Sequence, residues 1–454
     1  MNLRVIEGGR DAGAVSGLLV TGASAIATMA GGLRRGASQD DPGLLEAATV
    51  GGPESPDAPV LACWEGRVVA VGPRDGVEAA LSGAGLPVAR FARMDARGGL
   101  VTPGLVDPHT HLLFAGTREA ELRARQEGRT YLEILEAGGG ILSTVAATRA
   151  ASEEALLDHG RRWLDEMLDH GTTTIEAKSG YGLDLPTELR LLEVAHRLGE
   201  EGPVDVVPTF LGAHAVPNEF RGRPDGAEAY VKNLLAVQLP GVAAQGRARF
   251  CDVFCETGVF SAEQSRRILV AARALGLEPR LHADELAPSG GAELAAELHA
   301  WSADHLGAPS EAGIDALAAA ADGERPVVAT LLPTTTWFLM KDVHAPARRF
   351  VERGIPVALG TDFNPGTSPT PVLPLALTLA VLQLGLTPAE ALAAVTVNAA
   401  HAIGLGDEVG SLEPGRAADF VVWRVPNVDQ LPYWPGADLA RIVVKRGVVV
   451  RERQ

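Results

Sequence analysis

From Gly104 onward the sequence alternates, for about 300 residues, between short apolar runs and segments carrying helix start and stop signals. The runs TTTIEAK, VDVVPTF, PRLHAD, VVATLLP and PVALGTD are rich in β-branched residues and too short for helices, so they are predicted as strands. Helices are predicted between them from their caps. Ser152 precedes Glu153 and Glu154, with Gly171 beyond the end; Ser261 pairs with Gln264 in a capping box closed by Gly276; Thr387-Pro388-Ala389-Glu390 joins a capping box to a proline at the first helical position. Parallel strands need a crossover between them, and a β-then-α order repeated over this length predicts a (β/α)8 TIM barrel at residues 101–405.

A chain of 454 residues exceeds what one core usually holds, about 250 to 300 residues. The ends read differently from the middle. Residues 1–100 contain the β segments LLVTGA and GRVVAVG and a polar, Gly/Pro-rich stretch from Arg34 to Pro59, predicted as a loop. After Gly410 the chain returns to β character in SLEPGRAADFVVW and ARIVVKRGVVV. We expect residues 1–100 and 406–454 to meet in a small composite β-sandwich beside the barrel.

A net charge of −17 argues against a polyanionic partner, because phosphate contacts need clustered Lys and Arg. Three cysteines, Cys63, Cys251 and Cys255, cannot frame a chain this long, which favours a reducing compartment, and the last two sit in the apolar run FCDVFCETGVF as buried small hydrophobes. The apolar run Val15–Ala30 follows the mixed-charge MNLRVIEGGRDAG rather than a compact basic region, and the run Val372–Leu386 is broken by Gln383 and Gly385, short of the about 18 residues of a membrane span. A cytoplasmic protein with no membrane and no nucleic-acid partner is expected.

The strongest local signal is Gly-Leu-Val-Asp-Pro-His-Thr-His, an apolar strand ending in His109 and His111. Residues two apart on a strand point the same way, so both imidazoles can aim into the barrel and chelate a metal. Active sites occupy the C-terminal ends of barrel strands. His214 follows VDVVPTFLGA, His282 follows PRL, His305 lies in WSADHL, and the carboxylate Asp362 ends PVALGTD. Any one of these alone reads as a hydrogen-bonded histidine or a capping aspartate; as a set at successive strand ends they read as a metal site.

The segments PHTHLLFAGTRE, EAKSGYGL, TFLGAHAVP, LHADE, SADHL and TDFNPGTSPT, with ATMAGG near the start and LPYWPG near the end, resemble the imidazolonepropionases, a family of the amidohydrolase superfamily of metal-dependent hydrolases. The resemblance covers nearly the whole chain, TDFNPGT being its most specific part, and departs from the family in the Arg34–Pro59 stretch. It implies hydrolytic opening of the ring of 4-imidazolone-5-propanoate to N-formimidoyl-L-glutamate in histidine degradation. It implies that His109, His111, His282 and Asp362 hold one zinc or iron ion per subunit, and that Asp362, His305 and Glu285 share the proton transfers. It places Arg118 on the propionate, Tyr181, His214 and Glu285 around the ring, and Asn364, Gly366 and Thr367 as donors to substrate or product. Lys178 lies near the place where some superfamily members carry a carbamylated lysine at the end of the fourth strand, although an unmodified lysine that orients the pocket suits a one-metal family better. A homodimer is expected by analogy. A nucleobase-type deaminase would share the metal residues without needing Arg118, and a non-catalytic scaffold would have lost ligand types that are all present here.

Overall fold

The computed structural model describes residues 17–47, 55–129, 133, 139–323 and 325–453. The leading MNLRVIEGGRDAG and the first two residues of the apolar run Val15–Ala30 lie outside them. The rest of that run is no helix but two strands, β1 (Gly17–Thr21) and β2 (Ala25–Ala27), which begin the N-terminal part of the small β region. It continues through β3 (Leu44–Glu46), β4 (Pro59–Trp64), β5 (Arg67–Pro73), β6 (Phe91–Asp95) and β7 (Leu100–Pro103).

Eight parallel strands follow: β8 (Leu105–Thr110), β9 (Thr172–Lys178), β10 (Asp205–Ala213), β11 (Phe250–Cys255), β12 (Glu278–Ala283), β13 (Ser302–His305), β14 (Val328–Leu331) and β15 (Val357–Leu359). Each pairs with the next in sequence order. The ring is closed between last and first at the C-terminal end, where Asp362 N–H donates to the His109 carbonyl at 3.0 Å and His111 N–H to the Phe363 carbonyl at 2.9 Å. Below these, Asp107 accepts from the Thr361 hydroxyl at 2.5 Å. The caps act as the sequence predicts: Ser152 accepts from Ala155 N–H, and both capping boxes, Ser261 with Gln264 and Thr387 with Glu390, are formed. The run Val372–Leu386 supplies an 11-residue helix, Leu373–Gln383, and among the described residues no helix is long and apolar enough to cross a membrane.

The chain closes with β16 (Phe420–Trp423), β17 (Ala440–Lys445) and β18 (Val448–Glu452). These join the N-terminal strands in a six-stranded sheet of order β18-β17-β16-β7-β2-β3, while β5-β4-β1-β6 form a second sheet. Side chains of both pack in one apolar cluster, Val20, Leu61 and Val68 against Ile26, Phe420 and Val444, which makes the pair a β-sandwich. The Arg34–Pro59 stretch departs from the expected loop. It holds a 3-10 turn, Gly36–Asp40, and strand β3, and its Gln39 is fully buried, exchanging hydrogen bonds with the backbone of Val357 on the last barrel strand. Burial of a primary amide needs such partners, so the part of the stretch around Gln39 is docked on the barrel rather than free.

Trp423 is the main bolt between the two parts. It is 2% exposed, belongs to the barrel's apolar core and donates its indole N–H to Thr102 on β7 at 2.9 Å. Its ring lies against Gly171, where φ is +92° and a Cβ would come within 3.1 Å of the indole. Glycine there both ends the preceding helix and leaves room for the ring. Trp423→Ala is expected to lower stability to chemical denaturation by about 3–5 kcal/mol, while Val448→Ala on the exposed last strand changes it by less than about 0.5 kcal/mol. Equal denaturation midpoints for the two variants would contradict this role.

Candidate metal centre and its cavity

His109 and His111 sit two residues apart across Thr110 at the end of β8, His282 is on β12, His305 ends β13, and Asp362 follows β15. The strand period turns His109 and His111 the same way, and all five meet at the mouth of the barrel. His282 Nε2 and His111 Nε2 are 3.4 Å apart, and one Asp362 oxygen, Oδ1, lies 3.5 Å from His109 Nε2 and 3.4 Å from His111 Nε2. Nitrogen and oxygen donors therefore face one another without protons enough to join them all. His109 Nε2 is buried and has no hydrogen-bond partner among the described residues. The donor atoms of His109, His111 and His282, and those of His109, His305 and Asp362, lie within 4.8 Å of one another in each set. Such a cluster has the chemistry of a cation site.

Each imidazole is held from behind. His109 Nδ1 is 2.7 Å from Asp304 Oδ2, and His282 Nδ1 is 3.1 Å from Asp252 Oδ1. His111 has no partner at Nδ1 among the described residues; its ring instead stacks on His214, with centroids 4.8 Å apart and planes 13° from parallel. Asp304 and Asp252 are fully buried and share the ammonium of Lys178, at 3.5 and 2.8 Å, which also meets Glu176 at 2.9 Å. Arg280 adds a second buried cation, 3.0 Å from Asp304.

These surroundings set the charges. Burial and Lys178 pull His109 down, but the carboxylates of Asp304 and Asp362 outweigh them and lift it to about 9. Burial would raise Asp362, yet its contacts with His109, His305 and the Thr335 hydroxyl hold it at about 2. His305 is taken down to about 4 by burial against the pull of Glu285 and Asp362, and His214 to about 3 by burial and by His282, so both rings are neutral at neutral pH. Burial depresses Lys178, but Asp252 and Glu176 more than restore its charge.

Lys178 requires a correction. It ends the second barrel strand, not the fourth, and its ammonium already serves three carboxylates. A carbamate at that nitrogen would place a fourth negative charge among three buried ones, which burial forbids. The bridging, two-metal reading is therefore dropped.

The cluster opens into a cavity of about 820 Å³ lined by Arg118, Tyr181, His214, Glu285, Asn364 and Thr367 as well as by His111, His282, His305 and Asp362. Glu285 faces His305 at 3.7 Å and Lys341 at 3.8 Å. Tyr181 is 2% exposed, its ring 5.7 Å from that of His111 and 5.4 Å from that of His214. Arg118 directs its Nε and Nη2 onto Glu121, both at 2.8 Å, and its Nη1 against Gly366, where a Cβ would collide with the guanidinium. In the NPGT loop the amides of Gly366 and Thr367 both donate to Asn364 Oδ1 at 2.8 Å. Asn364 Nδ2 is likewise directed at the Asp362 carbonyl and the Thr367 hydroxyl.

Sequence reasoning missed Glu176, Asp252, Arg280 and Asp304. A signal was present: TTTIEAK, FCDVFC, PRLHAD and SADH each carry a charged residue inside an apolar strand, two residues before another polar one in the case of Glu176 and Arg280, which is the period of a single strand face.

A profile described as the amidohydrolase family matches residues 115–451 of the chain. The imidazolonepropionase of Geobacillus kaustophilus (strain HTA426) is 53% identical over 392 residues, 85% of this chain and 88% of that one. The imidazolonepropionase of Bacillus velezensis is 47% identical over 437 residues, 96% and 97% of the two chains, and that of Symbiobacterium thermophilum is 49% identical over 434 residues, 95% and 97%. Among solved structures, an adenosine deaminase from Xanthomonas campestris with bound zinc superposes with a TM-score of 0.65 at 18% identity, covering 95% of this chain and 92% of its own. Guanine deaminase of E. coli does so with a TM-score of 0.65 at 18% identity, covering 96% and 99%. At that identity the structures speak for the fold alone. The relatives similar over nearly the full length, and the cluster of imidazoles and carboxylate at the strand ends, agree: this chain belongs to the imidazolonepropionase family of the amidohydrolases.

Proposed function

We propose that this chain hydrolyses the ring of 4-imidazolone-5-propanoate to N-formimidoyl-L-glutamate, a step of histidine degradation. The observation that carries this reading is the presence, in one cavity, of a three-imidazole, one-carboxylate cluster and of Arg118 held in a fixed pose over Gly366. A cyclic amide offers a carbonyl to the cluster, and the propionate offers a carboxylate to the arginine. The wider rim fits an anion too: Arg125, Arg129, Arg221, Arg223 and Lys341 line the same cavity of a chain whose net charge is −17.

Amidohydrolases imply a divalent metal, and His109, His111, His282 and Asp362 fit one: three imidazole nitrogens, His109 giving up its proton on binding, with a single carboxylate suit zinc or iron, one ion per subunit. Such an ion, when bound, supplies a Lewis acid and an acidified water. The remaining work falls to side chains of this chain. Asp362 Oδ1 is placed to accept a proton at the cluster, and the neutral His305, with Glu285 3.7 Å away, forms a pair that can hold and return one to the ring nitrogen. Tyr181 and His214 wall the ring, and Arg118 fixes the tail so that the amide meets the cluster in a single orientation. Asn364 and Thr367 line the cavity with their side chains, whereas Gly366 acts by giving Arg118 room. The reading extends to a cytoplasmic homodimer with a small-molecule substrate and no nucleic-acid or membrane partner.

The test is loss of the substrate's ultraviolet absorbance with metal content measured on the same sample. Metal-dependent turnover to formimidoylglutamate establishes the reading; a metal-loaded protein that leaves this substrate intact refutes it, and ammonia release from nucleobases would then point to deamination. His109→Ala is expected to lose metal and activity together, and an active, metal-replete variant would remove His109 from the ligand set. Arg118→Ala should raise KM by about 10- to 100-fold, as expected for a lost charge-assisted pair, with metal content unchanged. Gly366→Ala, which displaces the guanidinium, should raise KM in the same direction; a KM unchanged in both variants would assign the tail to another cation.

A further inference from the structure

Among the buried charged groups beneath the cluster, Lys178 lines no part of the cavity and pairs with none of the proposed ligands, yet it joins the carboxylates that hold two of them. Its ammonium joins three carboxylates, and each has a separate task. Asp304 takes His109 Nδ1 at 2.7 Å. Asp252 takes both His282 Nδ1 at 3.1 Å and the His282 amide at 3.0 Å. Glu176 accepts, at 3.4 Å, the amide of Thr110, the residue between His109 and His111. All four groups have zero exposure. Arg280 assists from the far side, bonded to Asp304 and to the carbonyl of Pro108 at 2.7 Å, but it reaches only one of the three carboxylates.

We propose that Lys178 is the positioning residue of the metal centre: one ammonium ties Glu176, Asp252 and Asp304 together and so fixes the strand carrying His109 and His111 and the ring planes of His109 and His282 before a metal arrives. The inference rests on the reading of His109, His111, His282 and Asp362 as ligands. Its physical content is geometric: Arg280 pairs directly with Asp304 only, so without Lys178 nothing would tie Glu176 and Asp252 to it, the three buried carboxylates would repel one another apart, and the Nδ1 atoms would lose the acceptors that aim their Nε2 atoms inward.

The sign of the effect separates this role from simple charge. Deleting a nearby positive charge should by Coulomb attraction alone tighten binding of a divalent cation. Loss of orientation should loosen it, by about 10- to 100-fold for groups that hold metal ligands. The experiment is Lys178→Met in the full chain, with zinc affinity measured by chelator competition and ligand geometry read from the visible absorption of the cobalt(II)-substituted protein. We expect affinity to fall by that factor and the cobalt spectrum to change, while Leu191→Ala, a core truncation away from the site that lowers thermal stability, leaves both as in the parent. Affinity equal to or tighter than the parent's with an unchanged cobalt spectrum would overturn the proposal. If Lys178→Met does not fold, Glu176→Gln decides, since it removes one of the three carboxylates at constant shape: losing a negative charge weakens cation binding by itself, so the cobalt spectrum is the readout, a changed spectrum supporting the role and an unchanged one overturning it. His109→Ala distinguishes the levels, because retention of zinc there sinks the ligand reading itself, whereas loss of zinc there with parental cobalt spectra in the Lys178 and Glu176 variants, and affinity undiminished in the former, sinks only this inference.

Discussion

Glu176, Asp252 and Asp304 are buried without exposure in the interior of the barrel, three carboxylates gathered around one ammonium. An isolated carboxylate moved out of water costs several kcal/mol even after relaxation. Lys178 and Arg280 offset that cost, leaving one net negative charge directly behind the imidazoles, so the same cluster that makes the charges tolerable also favours a cation in front of it. Metal site and barrel interior are thus one electrostatic unit: the strands bring the charges together, and the charges fix the histidines that the strands present.

The backbone at the barrel mouth departs from the ordinary in the same place. Asp284, His305, Leu306 and Asp362 all have positive φ, between 50° and 72°, a region that residues other than glycine seldom occupy. Three barrel strands end in this way beside the cavity, after β12, at β13 and after β15. Each is held by more than one bond: Asp284 accepts from the amides of Ser289, Gly291 and Ala292, and Asp362 is tied to His109 through its amide and to Thr335 through its carboxylate. Strain persists only where the surroundings over-determine it, and here it turns His305 and Asp362 sharply into the cavity.

The barrel was legible in the chain because its signals are local. Caps at Ser152, Ser261 and Thr387 and the strand runs between them depend on neighbours a few residues away, and the alternation of two types of element leaves few topologies. The histidines and Asp362 were legible for a related reason, since the end of a strand is a position that sequence marks. What stayed hidden was whatever depends on two distant strands meeting. Asp304 and Lys178 are 126 positions apart in number and on different strands, and nothing near either announces the other. The docking of Gln39 on Val357 and the use of the Gly366 and Thr367 amides by Asn364 are hidden likewise, because a polar residue in a Gly/Pro-rich segment reads as solvated until its partner is known. The strand number of Lys178 failed by counting: EAKSGYGL carries a lysine in a suitable setting, but the place assigned to it from family likeness is two strands further on.

The sign of the charge on the surface and that in the cavity are opposed, and this has a consequence for substrate capture. A chain of net charge −17 repels an anion at long range, yet the cavity is lined by Arg118, Arg125, Arg129, Arg221, Arg223 and Lys341. At about 0.15 M ionic strength charges more than about 8 Å apart are largely screened, so an approaching carboxylate feels the rim rather than the whole protein. Within the cavity the screening weakens and the arginines act at short range, where Glu121 restrains Arg118 to one pose, which would lower the entropy lost if it engages the carboxylate of the proposed substrate. Glu121 and Glu285 line the same cavity, so the cations there stand among carboxylates rather than in a field of one sign. Tyr181, His214 and His305 add no charge to it, since burial holds both imidazoles neutral, and the pull on an entering carboxylate is left to the arginines and Lys341.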